Sequence, residues 1–259
     1  MDLLLLIGFL GMICGFLSGL LGIGGGIIMA PLLLYVPPLL GFETMSMRTV
    51  AGLTIVQGLV ACIAGAIAHH KLNFVSGRLA SWMGISIFAA SLIGGAAANY
   101  VDNRILLFIF GGLAITAAIL MFIPKEQDHE TPDIKTLEFD RWRAVTTSAS
   151  VGLLGGLVGQ GGSFILIPLM TSFVQIPTRI AIGSNLAIVL LSSTAGFIGK
   201  ATTGQIEWWM AVPIALTVVP AARVGSIVSR RVSVLWLSRA LAALITLAAV
   251  RIWVSVLFA

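Results

Sequence analysis

Six of the ten acidic residues, Glu126, Asp128, Glu130, Asp133, Glu138 and Asp140, fall in one short stretch, leaving Asp2, Glu43, Asp102 and Glu207 for the rest of the chain. That remainder is overwhelmingly apolar: 58% of the 259 residues are hydrophobic and 10% charged, against about 25% charged in ordinary soluble domains. A chain with a mean hydropathy of +1.07 cannot cover itself in polar surface, so most of it has to be solvated by lipid. This excludes an ordinary soluble enzyme, a disordered protein and a nucleic-acid-binding module. The pI of 9.8 reflects 15 Lys and Arg against 10 Asp and Glu, with no basic cluster longer than two residues, so charge here carries topology.

Apolar runs separated by polar punctuation fall near 3–21, 27–40, 49–69, 79–98, 105–123, 144–158, 163–175, 180–199, 208–228 and 234–258, five on each side of the acidic stretch. The expected fold is therefore an all-α integral membrane protein. A full crossing needs about 20 helical residues, and the runs at 27–40, 144–158 and 163–175 fall short, which suggests helices that turn back partway. If all ten runs alternate direction, Lys71, Arg78, Lys125, Lys135, Arg141, Arg143, Arg179, Arg230 and Arg231 collect on one side and Arg48, Arg104 and Lys200 on the other. Treating each short pair as one broken helix gives a much weaker bias, so hairpins are preferred. The positive-inside rule then places a linker at 124–143 in the cytoplasm, between a first membrane repeat at 1–123 and a second at 144–259. The start, Met1-Asp2 followed by Leu3 to Leu6, lacks the basic region of a signal peptide and is expected to remain as the first helix of a multi-pass cell-membrane protein.

The two halves echo one another. Gly19 to Leu33 reads GLLGIGGGIIMAPLL and Gly156 to Met170 reads GLVGQGGSFILIPLM, with 8 identities in 15 positions. Downstream, Arg48 matches Arg179, Gly52 matches Gly183 and Gly65 matches Gly196 at a constant offset of 131. An odd number of reversals per unit relates two copies by an axis in the membrane plane, so two inverted five-element repeats are expected. Gly11, Gly15 and Gly19 have the spacing of a close helix-packing face. The GIGGG and GQGGS tracts are denser than packing requires and read as unwound breaks or re-entrant hairpins, each interior glycine costing a helix about 1 kcal/mol relative to alanine. Amides at the start of the helix after a break, aided by its dipole, suit an anion. The candidate substrate-binding residues are accordingly Gly24, Gly25 and Gly26 in the first copy and Gln160, Gly161, Gly162 and Ser163 in the second. Gln160 and Ser163 give the second copy donors that Ile23 and Gly26 lack.

These paired tracts, each followed by an apolar turn and Pro31 or Pro168, around a central loop, resemble the sulfite exporter TauE/SafE family of membrane permeases over nearly the whole chain. The resemblance implies transport of sulfite, sulfonates or related small organic anions without a nucleotide-binding subunit. Gly183-Ser184-Asn185-Leu186 looks like the family's small polar patch, and the matching Gly52-Leu53-Thr54-Ile55 departs from it at Leu53.

Ser184, Asn185, Thr54 and Gln57 interrupt otherwise apolar helices. A hydroxyl there can simply bond its own helix, whereas the Asn185 amide needs partners beyond it, so Ser184-Asn185 is expected to line the cavity. Arg223, near the end of its segment, either snorkels to headgroups or relays anions to the site. Cys14 and Cys62 read as core residues. No catalytic order, phosphate loop or metal-ligand spacing is present in the sequence, so neither catalysis nor a cofactor or metal is expected. The expected partners are a small anionic substrate and the lipid bilayer, with a homo-oligomer left open and no nucleic acid. The second reading is an anion channel or a structural membrane subunit using glycine for packing; only a carrier shows saturation and counterflow.

Overall fold

The computed structural model describes residues 2–21, 26–68, 76–122, 137, 139–229 and positions 243, 246, 247, 250, 251, 253 and 254. Most of the tenth apolar run and of the central linker, and Gly24 and Gly25 of the candidate site, lie outside the described residues. Among those described, all regular structure is helical: α1 Leu3–Leu21, α2 Gly26–Leu39, α3 Met47–Ala68, α4 Gly77–Ala97 continued by a 3₁₀ turn at Ala98–Tyr100, α5 Asn103–Phe122, α6 Arg141–Val158, α7 Ser163–Ser172, α8 Thr178–Thr202 and α9 Trp208–Ser229.

Each of the first nine apolar runs is one helix, because a chain in lipid must satisfy its backbone within each segment. Boundaries shift where caps intervene. The Asp140 side chain accepts hydrogen bonds from Trp142 N and Arg143 N, so α6 starts at Arg141, inside the stretch expected to be linker. Ser76 caps α4 in the same way, accepting from Leu79 N. Six segments are long and apolar enough to cross a membrane: Leu3–Leu20, Met47–Ala64, Gly77–Tyr100, Asn103–Leu120, Ser184–Thr202 and Trp208–Ser229. Helices α2 and α7, with 14 and 10 residues, are too short for a full crossing at a rise of about 1.5 Å per residue.

Glycine decides which helices touch. Residues Gly11, Gly15 and Gly19 of α1 lie against Ile214, Val218 and Ala222 of α9, the last so closely that a methyl on Gly19 would strike the Ala222 carbonyl. Gly225 in turn abuts the Phe16 carbonyl. Contacts rise together along both helices, so α1 and α9 run parallel, and the packing face expected of those three α1 glycines is occupied. Helices α4 and α6 repeat the arrangement, with Gly152 against Ile87, Gly156 against Ser91 and Gly94 against Leu153. The second set is the first shifted in register: each α1 position moves by the 137 residues separating the glycine tracts, and each α9 position moves back by 131.

Helix α8 also packs along α4, where Gly95 meets Gly196 and Gly199 meets Leu92. Helix α3 is the most enclosed span, with 72% of it buried. It runs antiparallel to α8: Gly52 abuts Gln205 just past the end of α8, while Ile55 abuts Gly196 further back.

Candidate functional site

The chain between α6 and α7 is built by three glycines in the left-handed region, Gly159 at φ 76°, Gly161 at 59° and Gly162 at 72°. Helix α6 closes with a glycine-centred C-terminal turn in which Gln160 N–H reaches back to the Gly155 carbonyl at 2.9 Å. Gly159 is pressed against the Ala51 carbonyl of α3, so that turn has no room for a side chain as well as the wrong φ for one. Helix α7 then restarts from Gly162. The break expected at GQGGS is thus a tight turn between two helices.

Around this turn Gln160 and Gly161 meet Gly26 of the first copy and Ser192 and Ser193 of α8, while Gln57 and Asn185 lie further along α3 and α8. A methyl on Gly26, at the start of α2, would lie 3.2 Å from Gln160 Cγ, and one on Gly161 would lie 2.8 Å from Ser193 Oγ and 3.6 Å from Ser192 Oγ on α8. Gln160 and Ser163 are buried, as are Gln57 and Thr54 on α3 and Ser184 and Asn185 on α8. Several of their polar atoms have no partner: both side-chain amide atoms of Gln57 and of Gln160, Ser163 Oγ, Ser192 Oγ and Asn185 Oδ1. Each such atom costs about 1–3 kcal/mol when left unsatisfied, so those of Gln160, Ser163 and Ser192 at the turn mark a place where something else can bind. Asn185 and Ser192 are seven residues apart on α8, which places them on one face about 10 Å from each other.

Other expected residues are satisfied or displaced. Thr54 Oγ1 donates to the Ala51 carbonyl of its own helix at 3.2 Å, and Ser184 Oγ accepts from Ser76 N at 3.2 Å, tying α8 to the start of α4. The Ser163 amide, expected to face an anion, donates to the Gln160 carbonyl at 3.4 Å. Arg223 stands on the exposed face of α9, while Ala222, Gly225 and Ser226 face inward, so it does not join the cluster. Ser192 escaped the sequence reading because a serine in a helix reads as a self-satisfied hydroxyl.

Lys200 departs most from expectation. Counted as a marker of one membrane face, it is fully enclosed, with 0% of its side chain exposed. Its Nζ donates to the Leu157 carbonyl at 3.1 Å and to Gln205 Oε1 at 3.2 Å. Leu157 lies in the last turn of α6, where helix carbonyls lack intrahelical partners. Gln205 is folded over Lys200 by another glycine-centred turn, with Gly204 at φ 68° and Gln205 N–H on the Lys200 carbonyl at 3.0 Å. The Gln205 amide also donates to the Gly95 carbonyl at 2.9 Å.

No group of His, Cys, Asp or Glu among the described residues could hold a metal, and Cys14 and Cys62 are both buried thiols. A cavity of about 390 Å³ between α5, α6 and α7 is lined mainly by apolar residues such as Leu113, Val151, Leu154 and Ile165. Its Thr116 hydroxyl is already bonded to the Gly112 carbonyl, and Ser150 adds one exposed hydroxyl to the lining.

Six candidate spans and two shorter apolar helices are the architecture of a multi-pass membrane protein, and the comparisons place it among membrane transporters. The chain matches the sulfite exporter TauE/SafE family over residues 7–252 and belongs to it. A probable membrane transporter protein of Methanocaldococcus jannaschii is 25% identical over 243 residues, covering 90% of this chain and 88% of the relative. The probable membrane transporter protein YunE of Bacillus subtilis is 25% identical, covering 86% and 87%. One from Haemophilus influenzae is 27% identical, covering 75% and 72%. No solved structure matches.

Proposed function

We propose that this chain carries sulfite or small organosulfonates across the cell membrane, binding them at the turn between α6 and α7. The observation that carries the reading is the set of buried, unpartnered polar atoms on Gln57, Gln160, Ser163, Asn185 and Ser192. Amide and hydroxyl donors suit oxyanion oxygens, and the amide carbonyls suit a proton or water that the anion brings with it. No Asp or Glu is buried among the described residues, so the interior does not repel a negative charge. Gly24, Gly25 and Gly26 would supply the first copy's share of the site, and Thr54 and Ser184 its walls. The family's printed description is that of a sulfite exporter.

We also infer that the two halves are inverted copies meeting at this site, with the 124–143 linker in the cytoplasm. The register-shifted α1–α9 and α4–α6 contacts and the antiparallel α3 and α8 support the two-fold relation. Vesicles loaded or bathed with sulfite, methanesulfonate, acetate or potassium test the function. The expected outcome is saturable flux of sulfite and sulfonate with counterflow. Movement of cations alone refutes the reading, and non-saturating anion flux without counterflow makes the chain a channel.

A further inference from the structure

Among the described residues Lys200 is the one buried charged side chain, and none of their carboxylates lies within ion-pairing distance of it. Both of its acceptors are neutral, although an ammonium offers three donors. The acids on neighbouring segments, Asp102 and Glu207, are exposed, and Glu207 Oε2 accepts from Trp209 Nε1. Burying an ammonium against neutral acceptors alone carries a desolvation cost that a counter-ion at the site would offset. A second cation is near: Arg48 lies one turn before Gly52 on α3, and Gly52 abuts the backbone of Gln205, whose side chain accepts from Lys200. The Arg48 Nη2 donates to the Val101 carbonyl at 3.1 Å, and its buried Nε has no partner. A role limited to capping α6 needs one donor to the Leu157 carbonyl and leaves the third donor of the ammonium unused.

We propose that Lys200, flanked by Arg48, is the inner cation of an oxyanion subsite adjoining the Gly159–Gly162 turn. The subsite would take sulfite or a sulfonate on its way to or from the unpartnered amides. Lys200 lies eight residues, about 12 Å, beyond Ser192 along α8, and its acceptor Leu157 immediately precedes the turn. An oxyanion would replace neutral acceptors with charge-assisted ones, and the Arg48 Nε would gain a partner. The proposal rests on the anion-carrying reading above.

The test uses Gln205→Glu, which sets a carboxylate where Gln205 Oε1 now meets Lys200 and gives the ammonium a permanent partner. Saturable thermal stabilisation of the purified full chain by sulfite and methanesulfonate, in a gluconate background, reports binding. Gln205→Glu turns the donor to the Gly95 carbonyl into an acceptor, so it is compared with Gln205→Leu, which loses the same bond without adding charge: both are expected to melt lower than the parent protein, and Gln205→Glu alone to bind both anions about tenfold or more weakly. Lys200→Met is expected to lose binding similarly. A purely structural lysine would tolerate Gln205→Glu, so unchanged affinity in that variant overturns the proposal, as does a parent protein that neither anion stabilises. Vesicle transport separates the two claims. If sulfite is carried with unaltered half-saturation by Gln205→Glu, the subsite fails and the transport reading stands. If Lys200-dependent binding is found without transport, the subsite stands and the transport reading fails.

Discussion

Alanine at Gly159 isolates what the turn beside the candidate site demands of the chain. Gly159 and Gly204 both end a helix with positive φ, 76° and 68°, and Gly41 has φ 86°. Forcing alanine into that region costs about 1–2 kcal/mol at any of the three. The surroundings differ: a methyl on Gly204 or Gly41 meets nothing within 4 Å, whereas on Gly159 it runs into the Ala51 backbone of α3. Backbone cannot rotate aside as a side-chain tip can, so α3 or the turn has to shift, adding about 1–3 kcal/mol. Gly159→Ala is therefore expected to lose about 2–5 kcal/mol, and Gly204→Ala and Gly41→Ala about 1–2 kcal/mol. Reversible unfolding in mixed micelles of dodecylmaltoside and dodecyl sulfate measures the difference. Equal losses in all three variants would refute the argument that contact with α3, beyond φ, fixes this glycine. Transport in folded Gly159→Ala should fall further than in the controls, because the displaced turn carries Gln160 and Ser163.

Gln57→Leu removes two unpartnered buried polar atoms at similar volume, so it is expected to stabilise the fold by about 1–3 kcal/mol while weakening sulfite transport; a loss of stability in the same micelle assay would show that Gln57 is already satisfied. Asn185→Ala and Ser163→Ala are expected to raise the half-saturation for sulfite about tenfold, and Thr54→Ala, whose hydroxyl is bonded to Ala51, less than about threefold; equal effects in all three would leave a backbone-only cradle. Single cysteines within 124–143 are expected to react with impermeant maleimide only after cells are opened, and labelling from outside would reverse the proposed orientation.

The helical skeleton was legible because lipid imposes one simple condition, long apolar runs with their backbone bonds made internally, and each of the first nine runs met it. The turn at Gly159 was legible for a related reason, since three glycines in four residues have no use inside a helix. Lys200 was not. At the end of an apolar run it has the signature of an interfacial lysine, and what encloses it comes from elsewhere: a carbonyl 43 residues earlier and a side chain folded back by the Gly204 turn. Arg223 shows the converse, a cation in a similar position that a helix rotation leaves exposed. Ser192 and Ser163 differ from Thr54 only in whether a carbonyl of their own helix is taken, which depends on rotamers that residue type does not fix.

The parallel seam between α1 and α9 has a consequence for how the protein is made. The glycines of α1 present bare backbone shaped for Val218 and Ala222, residues that leave the ribosome roughly two hundred positions later. At about 5–20 residues per second, α1 spends about 10–40 s in the membrane before its counterpart exists. Throughout that interval it must stay beside the insertion machinery or be wrapped by lipid, with a groove open to any other small-residue helix. The α4–α6 seam closes sooner, since α6 follows α4 after one helix and the linker. The α4–α6 seam can therefore form before the α1–α9 seam, so a truncation before α9 leaves the glycine face of the first helix without its counterpart, a substrate for membrane quality control.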